Sequence, residues 1–377
     1  MIILSHLEKY IMKHKIKKIN VGIVGVGRIS LHHINCIISE KNFFLSAICD
    51  LDNSKLNKFV KKYKTKGYLN YREMLSKHKE INLVIIATPS GMHYEHAKEI
   101  ILRYKKNLII EKPLTIKVSQ AKELFRLSNK NKLKIFPVFQ NRYNLAVRRV
   151  KKSITSGEIG KIRIVNVRVR WCRQQKYYDM SPWRGTYSHD GGALTNQGIH
   201  HIDLLRYLFG EVDYVNCQMR TIGSKIQAED TIVATFGFKN GGVGTLEITT
   251  AARPIDYEAS ISLLGSKGMV QIGGIAVNKL EIFTPKQNDI KKFSESFKRN
   301  YYGFGHKYLY KSISNYFFKK KEFLISYNDC IKTLKLLHCF YNSAEQNKKI
   351  YFKNSRDSKK LGMKNEKISK LYRFREK

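Results

Sequence analysis

Apolar and polar positions alternate in two different ways along the chain, and the change falls near residue 141. Before it, the apolar runs at 19–27 (INVGIVGVG) and 43–52 (FFLSAICDLD) flank a segment at 29–40 whose apolar residues have helical spacing. Further runs of this kind, each preceded by a helical segment, lie at 81–90, 106–114 and 133–142. Because buried strands that alternate with helices form parallel sheets, this part is predicted to be a doubly wound Rossmann fold.

Beyond residue 141 the apolar runs follow one another with only short turn-forming segments between them. The runs lie at 162–171, 212–222, 230–238, 243–251, 257–265 and 268–274. Strands joined by short turns pair antiparallel. Helices are predicted at 197–209, 306–318 and 327–347. The sequence therefore predicts an α/β protein, in which a Rossmann doubly wound parallel sheet precedes a C-terminal α/β domain with an open, mostly antiparallel sheet.

Length and composition divide the chain into four predicted parts. The 377 residues are enough for two domains with separate cores, predicted at 19–140 and 141–352. Residues 1–18 are expected to be an extension, because their apolar start is too short for a signal peptide or a membrane span. Residues 353–377 form a basic tail, which we expect to be solvated because its charges show little periodicity.

The formal net charge of +40 does not by itself predict a nucleic-acid-binding protein. Lysines are spread over helix faces and loops without a known motif, so neither nucleic acid nor a membrane is an expected partner. A tail that touches RNA or a membrane is the alternative. The six cysteines form no CxxC pair and no zinc-spaced cluster, so we expect a reducing, cytoplasmic location and no metal.

A glycine turn follows the first predicted strand and opens the first predicted helix. Gly25 and Gly27 begin the turn, Arg28 and Ile29 continue it, and Ser30 stands where the dinucleotide fingerprint has Gly or Ala. In this context a pyrophosphate can approach backbone N–H groups at a helix N-terminus. The turn is therefore predicted to bind a dinucleotide.

Asp50 ends the second predicted strand, where a carboxylate can accept hydrogen bonds from the adenosine ribose. Leu51 follows it in place of an Arg that would hold a 2′-phosphate, so NAD is preferred to NADP, although Lys55 is close enough to leave NADP open. Asp52 is the alternative ribose contact if the strand ends two residues later.

Two further strand ends supply candidate residues at the same edge of the sheet. Thr88 and Pro89 end one predicted parallel strand and are candidate cofactor contacts. Glu111 and Lys112 end the next, so the Lys112 ammonium is expected to reach the cleft beside the cofactor. Desolvation lowers the pKa of a lysine, which would let Lys112 share a proton with a substrate hydroxyl.

Asn196 and His200 are four residues apart, so a helix would present both on one face. Asp203 lies one turn further and is expected to orient the imidazole. These residues predict an amide and a base at one edge of the cleft. Spacing alone leaves a packing role for His200 equally open, with His201 as an equivalent alternative.

These motifs in combination resemble the Gfo/Idh/MocA oxidoreductase family. They are the glycine turn, Asp50, ATPS at 87–90, EKP at 111–113 and GG-x(3)-N-x(3)-H at 191–200. The resemblance covers about Ile19 to Phe352 and implies NAD as cofactor, catalytic roles for Lys112 and His200, and a substrate-binding second domain that forms a dimer or tetramer. The family often has Asp where this chain has Asn196, so an Asp-containing relay is not expected.

Three further segments resemble the nucleotide-sugar 3-dehydrogenases of this family, which serve cell-surface polysaccharide (O-antigen, lipopolysaccharide) synthesis. They are FQNRYNLAV at 139–147, the segment at 183–205 and YGFGH at 302–306. The resemblance implies oxidation of the 3-hydroxyl of a UDP-N-acetylated sugar, with UDP-N-acetylglucosaminuronate favoured. UDP-N-acetylglucosamine, an inositol or another sugar is the first alternative, and a redox-silent protein that binds NAD or a nucleotide sugar is the second.

The same resemblance suggests partners and further contacts. A pathway aminotransferase would use the ketone product, and NADH would be either released or reoxidised in place by 2-oxoglutarate. Arg142, Asn144, Tyr178 and Arg184 are candidate substrate contacts in addition to Lys112, Asn196 and His200. Each of the four could also be an ordinary surface residue, although an Arg suits a phosphate or carboxylate.

Overall fold

A computed structural model of the chain describes residues 18–297 and 303–374. Its first sheet is parallel and contains β1 (Ile19–Val24), β2 (Phe43–Cys49), β3 (Lys66–Tyr68), β4 (Leu83–Ile86), β5 (Asn107–Ile110) and β6 (Ile135–Pro137). The order β3–β2–β1–β4–β5–β6 reverses between β1 and β4, which is where ligands bind in such sheets. The predicted Rossmann sheet is confirmed.

Helices cover both faces of this sheet, so its central strands are almost fully buried. The helices are α1 (Ser30–Ser39), α2 (Asn53–Tyr63), α3 (Tyr71–Lys77), α4 (His93–Glu99) and α5 (Val118–Lys130). Each of them connects one strand to the next. The carboxyl ends of β1, β4 and β5 therefore lie side by side at one edge.

The second sheet is mixed. Its strands are β7 (Ile162–Arg170), β8 (Val212–Arg220), β9 (Thr231–Phe238), β10 (Val243–Thr249), β11 (Glu258–Gly265), β12 (Met269–Gly273), β13 (Lys279–Phe283) and β14 (Ile350–Tyr351). In the order β13–β12–β11–β7–β10–β9–β8–β14, all neighbours are antiparallel except β7 and β10. The mostly antiparallel prediction is confirmed. The parallel pair arises because the chain leaves the sheet after β7 and returns through β8 and β9.

The described part of the chain after residue 144 contains seven α-helices, and the first, third, fourth and sixth of them pack on one face of the second sheet. They are α6 (Leu145–Thr155), α7 (Gln175–Asp179), α8 (Ile199–Phe209), α9 (Asp289–Lys292), α10 (Gly305–Lys319), α11 (Tyr327–Gln346) and α12 (Glu366–Leu371). The helix α11 packs on α8 and β8, and also on α5 of the first domain, while α10 packs on α1. The opposite face of the sheet exposes apolar residues such as Val233 and Val243, and the predicted oligomer contact there stays a prediction.

The end of the chain differs from the expectation of a solvated tail. Residues 355–374, which we call the C-terminal strap, pack against the body of the protein. Leu361 has no exposed surface and Ser358 is also buried. The tail prediction is therefore wrong for this part, because a few apolar and hydroxyl residues between the lysines are enough to dock it. The predicted N-terminal extension lies, apart from Lys18, outside the described residues. None of the helices in the described ranges is long and apolar enough to cross a membrane.

A buried ion-pair group lies at the centre of the second domain. Arg142 is 1% exposed, and its Nε and Nη2 donate to the two carboxylate oxygens of Asp203 at 2.7 Å each. Its Nη1 lies 3.2 Å from a carboxylate oxygen of Asp329. Arg142 thus ties the turn after β6 to α8 and α11. Its guanidinium does not reach the cleft, contrary to the prediction that it contacts substrate.

Asn144 has a similar structural role. Its side-chain amide donates to the carbonyl oxygens of Ala276 and Val277 at 2.8 and 3.2 Å, and the residue is 1% exposed. The prediction of a substrate contact is also wrong here. The chain after β6 turns away from the cofactor edge into the second domain, and both side chains follow it.

Replacement of Arg142 should therefore act on stability. Arg142→Ala leaves two largely buried carboxylates without their partner, which is expected to cost about 3–5 kcal/mol of unfolding free energy. Thermal unfolding followed by circular dichroism measures the loss. Arg148→Ala, on the exposed side of α6, is the matched control and should change stability by less than about 0.5 kcal/mol. A wild-type melting temperature for Arg142→Ala would argue against this role.

Candidate active site

The glycine turn between β1 and α1 has the shape that a dinucleotide needs. Gly25 has a φ of 95°, and a Cβ there would lie 2.7 Å from the carbonyl oxygen of Ala87, so only glycine fits. A Cβ at Gly27 would meet no atom of the described residues within 4 Å. The Ser30 hydroxyl donates to the Gly27 carbonyl at 2.6 Å and closes the turn. The open side and the N-terminus of α1 fit a pyrophosphate.

The other residues predicted for the turn lie on its outer side. Arg28 is exposed and Ile29 is half-buried at the start of α1. The Arg28 guanidinium makes no hydrogen bond to the sheet within the described ranges. Their role in cofactor binding stays a prediction.

Asp50 supports the glycine turn from the end of β2. Its Oδ2 accepts from the Val26 N–H at 2.7 Å, and its Oδ1 accepts from the Asp52 N–H at 2.9 Å. Asp52 instead caps α2, where it accepts from the Lys55 N–H at 3.1 Å and pairs with the Lys55 ammonium at 3.0 Å. Since Asp52 and Lys55 are held together at the helix, Asp50 is the better candidate for the ribose contact.

His93 joins the ends of β4 and β5. Its ring nitrogens lie 2.9 Å from the Thr88 carbonyl oxygen and 2.8 Å from the Pro113 carbonyl oxygen. The Thr88 hydroxyl lies 3.2 Å from the ring of His96, and both histidines are buried. These contacts fix Thr88 and Pro89 at the cofactor edge.

Glu111 is held by histidines from two other elements. Its Oε1 lies 2.9 Å from Nε2 of His33 and 3.7 Å from Nε2 of His306, and its Oε2 accepts from the Lys112 N–H at 3.1 Å. The other ring nitrogen of His33 lies 2.8 Å from the Tyr310 hydroxyl. Burial raises the pKa of Glu111, but the hydrogen bonds from His306 and His33 hold it well below 4.5. Glu111 therefore positions Lys112 from behind rather than reaching out to the cofactor.

The same three side chains have ligand types that could hold a metal ion. In His33, Glu111 and His306 the candidate ligand atoms all lie within 4.8 Å of one another, and no other such group was found in the part of the chain that the structure describes. The hydrogen bond from His33 to Glu111 already accounts for their approach. The expectation that the protein uses no metal stays a prediction.

The side chain of Lys112 reaches from the first domain to the second. Its Nζ donates to the backbone carbonyl oxygen of Asn196 at 2.6 Å. Burial lowers the pKa of Lys112, the positive charges of Arg184 and Arg173 lower it further, and Glu111 and Asp190 raise it. The ammonium therefore has both positive and negative charges around it, from both domains. A lysine whose pKa is shifted by such neighbours is a candidate for proton exchange with a substrate.

His200 lies beside Lys112 at the start of α8. The side-chain amide nitrogen of Gln140 lies 3.2 Å from its Nε2. Burial and the charge of Lys112 hold the pKa of His200 well below 6.5, so the imidazole is neutral at pH 7. The neighbouring His201 packs edge-on against Trp171, and burial lowers its pKa to about 4. His200 is therefore the histidine at the cleft, and His201 belongs to the core.

Asp203 does not orient His200 as predicted. Its carboxylate is bound by Arg142 and by the Thr333 hydroxyl at 3.1 Å. Position 203 lies three residues after the histidine, but the buried arginine occupies that side of the helix. Gln140 takes the place of the predicted carboxylate beside the imidazole.

Asn196 lies in a π-helical turn, Ala193–Gln197, rather than in the same helix as His200. Its side-chain amide donates to Oδ1 of Asp190, whose Oδ2 accepts from the Gly185 N–H at 2.7 Å. A carboxylate, that of Asp190, therefore lies next to the Asn196 side chain. Burial raises the pKa of Asp190, and this buried carboxylate also faces Lys112.

Of the two substrate contacts predicted before the π-helical turn, Tyr178 is ruled out by its position, and Arg184 stays a prediction. Tyr178 is 6% exposed, and its hydroxyl lies 2.8 Å from the Thr250 hydroxyl, so it points into the second domain. Arg184 donates to the Tyr177 hydroxyl at 2.6 Å, and its guanidinium lies over the rings of Tyr177 and Trp183. Its buried Nε has no hydrogen-bond partner among the described residues, which leaves a donor for an anionic ligand.

Glu229 supports the π-helical turn from the start of β9. It is 1% exposed, and its Oε1 accepts from the Leu194 N–H at 3.0 Å and from the Tyr341 hydroxyl at 2.8 Å. A Cβ at Gly192 would lie 2.3 Å from its Oε2, so the turn closes only with glycine there. Burial raises the pKa of Glu229 to about 8, and the negative charge of Asp190 adds to the shift.

Four residues of this site were not predicted from the sequence: Gln140, Tyr177, Asp190 and Glu229. Gln140 lies within the motif at 139–147 and Asp190 directly precedes the double glycine, so both had a signal in their neighbours. Tyr177 and Glu229 had none, because they reach the cleft only through the fold of a short helix and of β9.

Comparison with known proteins identifies the family of both domains. Residues 19–139 match the sequence profile of the oxidoreductase family with an NAD-binding Rossmann fold, and residues 147–271 match the GFO/IDH/MocA C-terminal domain. The WlbA dehydrogenase of Bordetella pertussis, solved with NADH and UDP-GlcNAcA, is 33% identical, with a TM-score of 0.83 over 89% of this chain and 98% of that one. For WlbA of Chromobacterium violaceum, with the same ligands, the values are 31%, 0.82, 89% and 96%.

A curated relative lies further away. The glucose-6-phosphate 3-dehydrogenase of Bacillus subtilis is 26% identical over 261 residues, which are 66% of this chain and 72% of that protein. The match to the NAD-binding oxidoreductase family, together with the two structures solved with NADH, shows that the chain is an NAD-dependent oxidoreductase. The chain belongs to the Gfo/Idh/MocA family.

The buried carboxyl of Glu229 should make stability depend on pH. Its pKa is raised, so between about 4.5 and 8 the unfolded chain loses this proton before the folded one, and the contribution of Glu229 to stability falls as pH rises. Glu229→Gln has no titrating group at this position, so its stability should not show this fall. The difference in unfolding free energy between Glu229→Gln and wild type should therefore increase with pH, by at most about 1.4 kcal/mol per pH unit across this window. Melting temperatures across the window measure it, with the exposed Glu322→Gln as control. A constant difference between Glu229→Gln and wild type would contradict the assignment.

Proposed function

We propose that this protein oxidises the 3-hydroxyl of UDP-N-acetylglucosaminuronate (UDP-GlcNAcA) in cell-surface polysaccharide synthesis. The observation that carries the proposal is the contact from the Lys112 ammonium to the Asn196 carbonyl beside His200, at the carboxyl edge of the parallel sheet. The two WlbA structures, at 33% and 31% identity over most of this chain, hold NADH and UDP-GlcNAcA and support this substrate.

The residues of the cleft have separate tasks in the proposed reaction. NAD supplies the acceptor for the hydride from C3. His200 is neutral at pH 7 and accepts the hydroxyl proton, while the Lys112 ammonium stabilises the negative charge that develops on the oxygen. If the Gln140 side chain is rotated so that its amide oxygen accepts from Nε2–H of His200, the other ring nitrogen, Nδ1, has the lone pair that accepts the proton. The Asn196 amide, held by Asp190, orients the sugar.

Arg184 favours an acidic sugar over a neutral one. Its guanidinium is fixed over two aromatic rings, and its electrostatic effect on Lys112 places it near the reacting groups. A fixed guanidinium with a spare Nε–H suits the two oxygens of a carboxylate. We assign it to the uronate carboxylate, and the diphosphate is the alternative group that it could bind.

The product of this reaction is a 3-keto nucleotide sugar. A ketone at this position is a substrate for an aminotransferase, which we propose as the next enzyme of the pathway. NADH is either released after each turnover or reoxidised in place by 2-oxoglutarate, which would form 2-hydroxyglutarate. A homo-oligomer formed through the exposed face of the second sheet belongs to the same proposal.

Direct assay of the purified protein tests the substrate. UDP-GlcNAcA, UDP-N-acetylglucosamine and myo-inositol are each mixed with NAD, with and without 2-oxoglutarate, and NADH absorbance and 2-hydroxyglutarate are followed. Turnover with the uronate and not with the neutral compounds is expected. Turnover with a neutral compound alone would overturn the proposal that UDP-GlcNAcA is the substrate. If none of the compounds is turned over although NAD binds, the proposed dehydrogenase activity is wrong.

Removal of the Lys112 amine tests the site. Lys112→Met keeps the length of the side chain but removes its charge and donor, so kcat should fall by at least about 100-fold. NAD affinity, measured by titration calorimetry, should change by less than about threefold, because the glycine turn and Asp50 are intact. The exposed Lys105→Ala, before β5, is the control. A wild-type kcat in Lys112→Met would remove Lys112 from the mechanism.

A further inference from the structure

We infer that the C-terminal strap, residues 355–374, positions the wall of the cleft at 183–191 against the NAD-binding domain and thereby sets the affinity for the nucleotide sugar. This inference rests on the proposed function, because it takes that cleft as the sugar site. The strap contacts both domains, and each set of contacts supports one half of the inference.

The strap is fastened to the first domain at both of its ends. Near its C-terminal end, Arg373 donates from Nε and Nη2 to the two carboxylate oxygens of Glu95 at 2.6 and 2.7 Å. Glu95 lies on α4, which begins directly after the cofactor edge of β4. Near its N-terminal end, Asp357 accepts from the Val118 N–H and the Ser119 hydroxyl at the start of α5, at 3.4 Å each.

Between these ends, the strap lies on the wall of the cleft. The Gly362 N–H donates to the Tyr187 carbonyl oxygen at 2.8 Å, and the Ser369 hydroxyl lies 3.1 Å from Nε2 of His189. Leu361 is buried so closely against the double glycine that a Cβ at Gly191 would lie 2.8 Å from its Cδ1. The strap therefore contacts the second half of the wall, from Tyr187 to Gly191.

His189 is clamped from two sides. Its carbonyl oxygen accepts from the Gly91 N–H of the first domain at 3.1 Å, while the strap holds its ring. The next residue, Asp190, holds the Asn196 side chain. A continuous set of contacts thus leads from the strap to the residues around Lys112.

The wall needs such support because it has little structure of its own. From Ser181 to Gly191 it consists of turns, without a strand or a helix. Ordering a flexible segment when the ligand arrives weakens binding, whereas a segment that is already ordered does not. The strap therefore favours tight binding of the sugar, while its contacts given above go to α4, α5 and the wall and not to the glycine turn, Lys112 or His200.

Paired substitutions at the Arg373–Glu95 contact test this role. Arg373→Gln and Glu95→Gln should each raise KM for UDP-GlcNAcA by about two- to fivefold, since the ion pair is partly exposed. The double variant should be no worse than Arg373→Gln alone, because Arg373→Gln already removes the contact to Glu95 together with the Arg373–Glu366 pair. A chain that ends at Asn354 should show an increase of about tenfold or more. KM for NAD and kcat should stay within about twofold of wild type in all of them.

Lys370→Ala, an exposed residue of α12, is the matched control and should leave every constant unchanged. Limited trypsin digestion without substrate gives a second readout, in which cleavage after Arg184 should be faster in the strap variants than in wild type and in the control. If the truncated chain does not fold, the point variants decide. Unchanged KM together with unchanged cleavage would overturn the inference. Failure of the proposed function would instead appear as no turnover in wild type, with the difference in cleavage intact.

Discussion

The hydrogen bond from the Lys112 ammonium to the Asn196 carbonyl oxygen is the contact on which the cleft depends. It joins the end of β5 in the first domain to the turn before α8 in the second, so the two domains meet at the reacting groups. Each partner is also fixed from behind. Glu111 and its histidines hold Lys112, while Asp190 and Glu229 hold the turn. The alignment of the site therefore follows from the packing of both domains.

Buried charge is distributed unevenly between two places in the protein. Around Arg142 each charge has an opposite partner, so that group is structural and has no place in the chemistry. Around Lys112, carboxylates and guanidiniums from separate segments act on one amine without neutralising it by a direct ion pair. The same residue types thus produce a fully paired, rigid group in one place and an amine with a lowered pKa in the other, and only their pairing distinguishes the two.

Much of this arrangement could be predicted from the sequence. The alternation of apolar runs and helical segments predicted the parallel sheet, and the glycine turn, Asp50, Lys112 and His200 lie at its carboxyl edge as expected. These features depend on local patterns and on the rule that strand ends share an edge. Lys112 and His200 were also recognisable by motif, because each has glycine or proline neighbours that fix its backbone.

Contacts between distant segments could not be predicted in this way. Asp203 has helical spacing from His200, yet the turn after β6 brings Arg142 to that carboxylate instead. Tyr177 and Tyr178 are adjacent, and only the direction in which α7 enters the second domain decides which of them meets Arg184. The strap looked unstructured because its lysines are on the surface, while the few residues that dock it are scattered among them.

The anchor of Lys112 is a backbone oxygen, and this has a consequence for how such sites can diverge. Every amino acid has that oxygen, so position 196 can change between Asp and Asn while the lysine keeps its place. What changes is the charge beside the amine, and with it the protonation of the site. A carboxylate at position 196 would also lose the amide donor to Asp190, so the electrostatics of this cleft and the packing of its turn change together, while the backbone oxygen that joins the two domains remains.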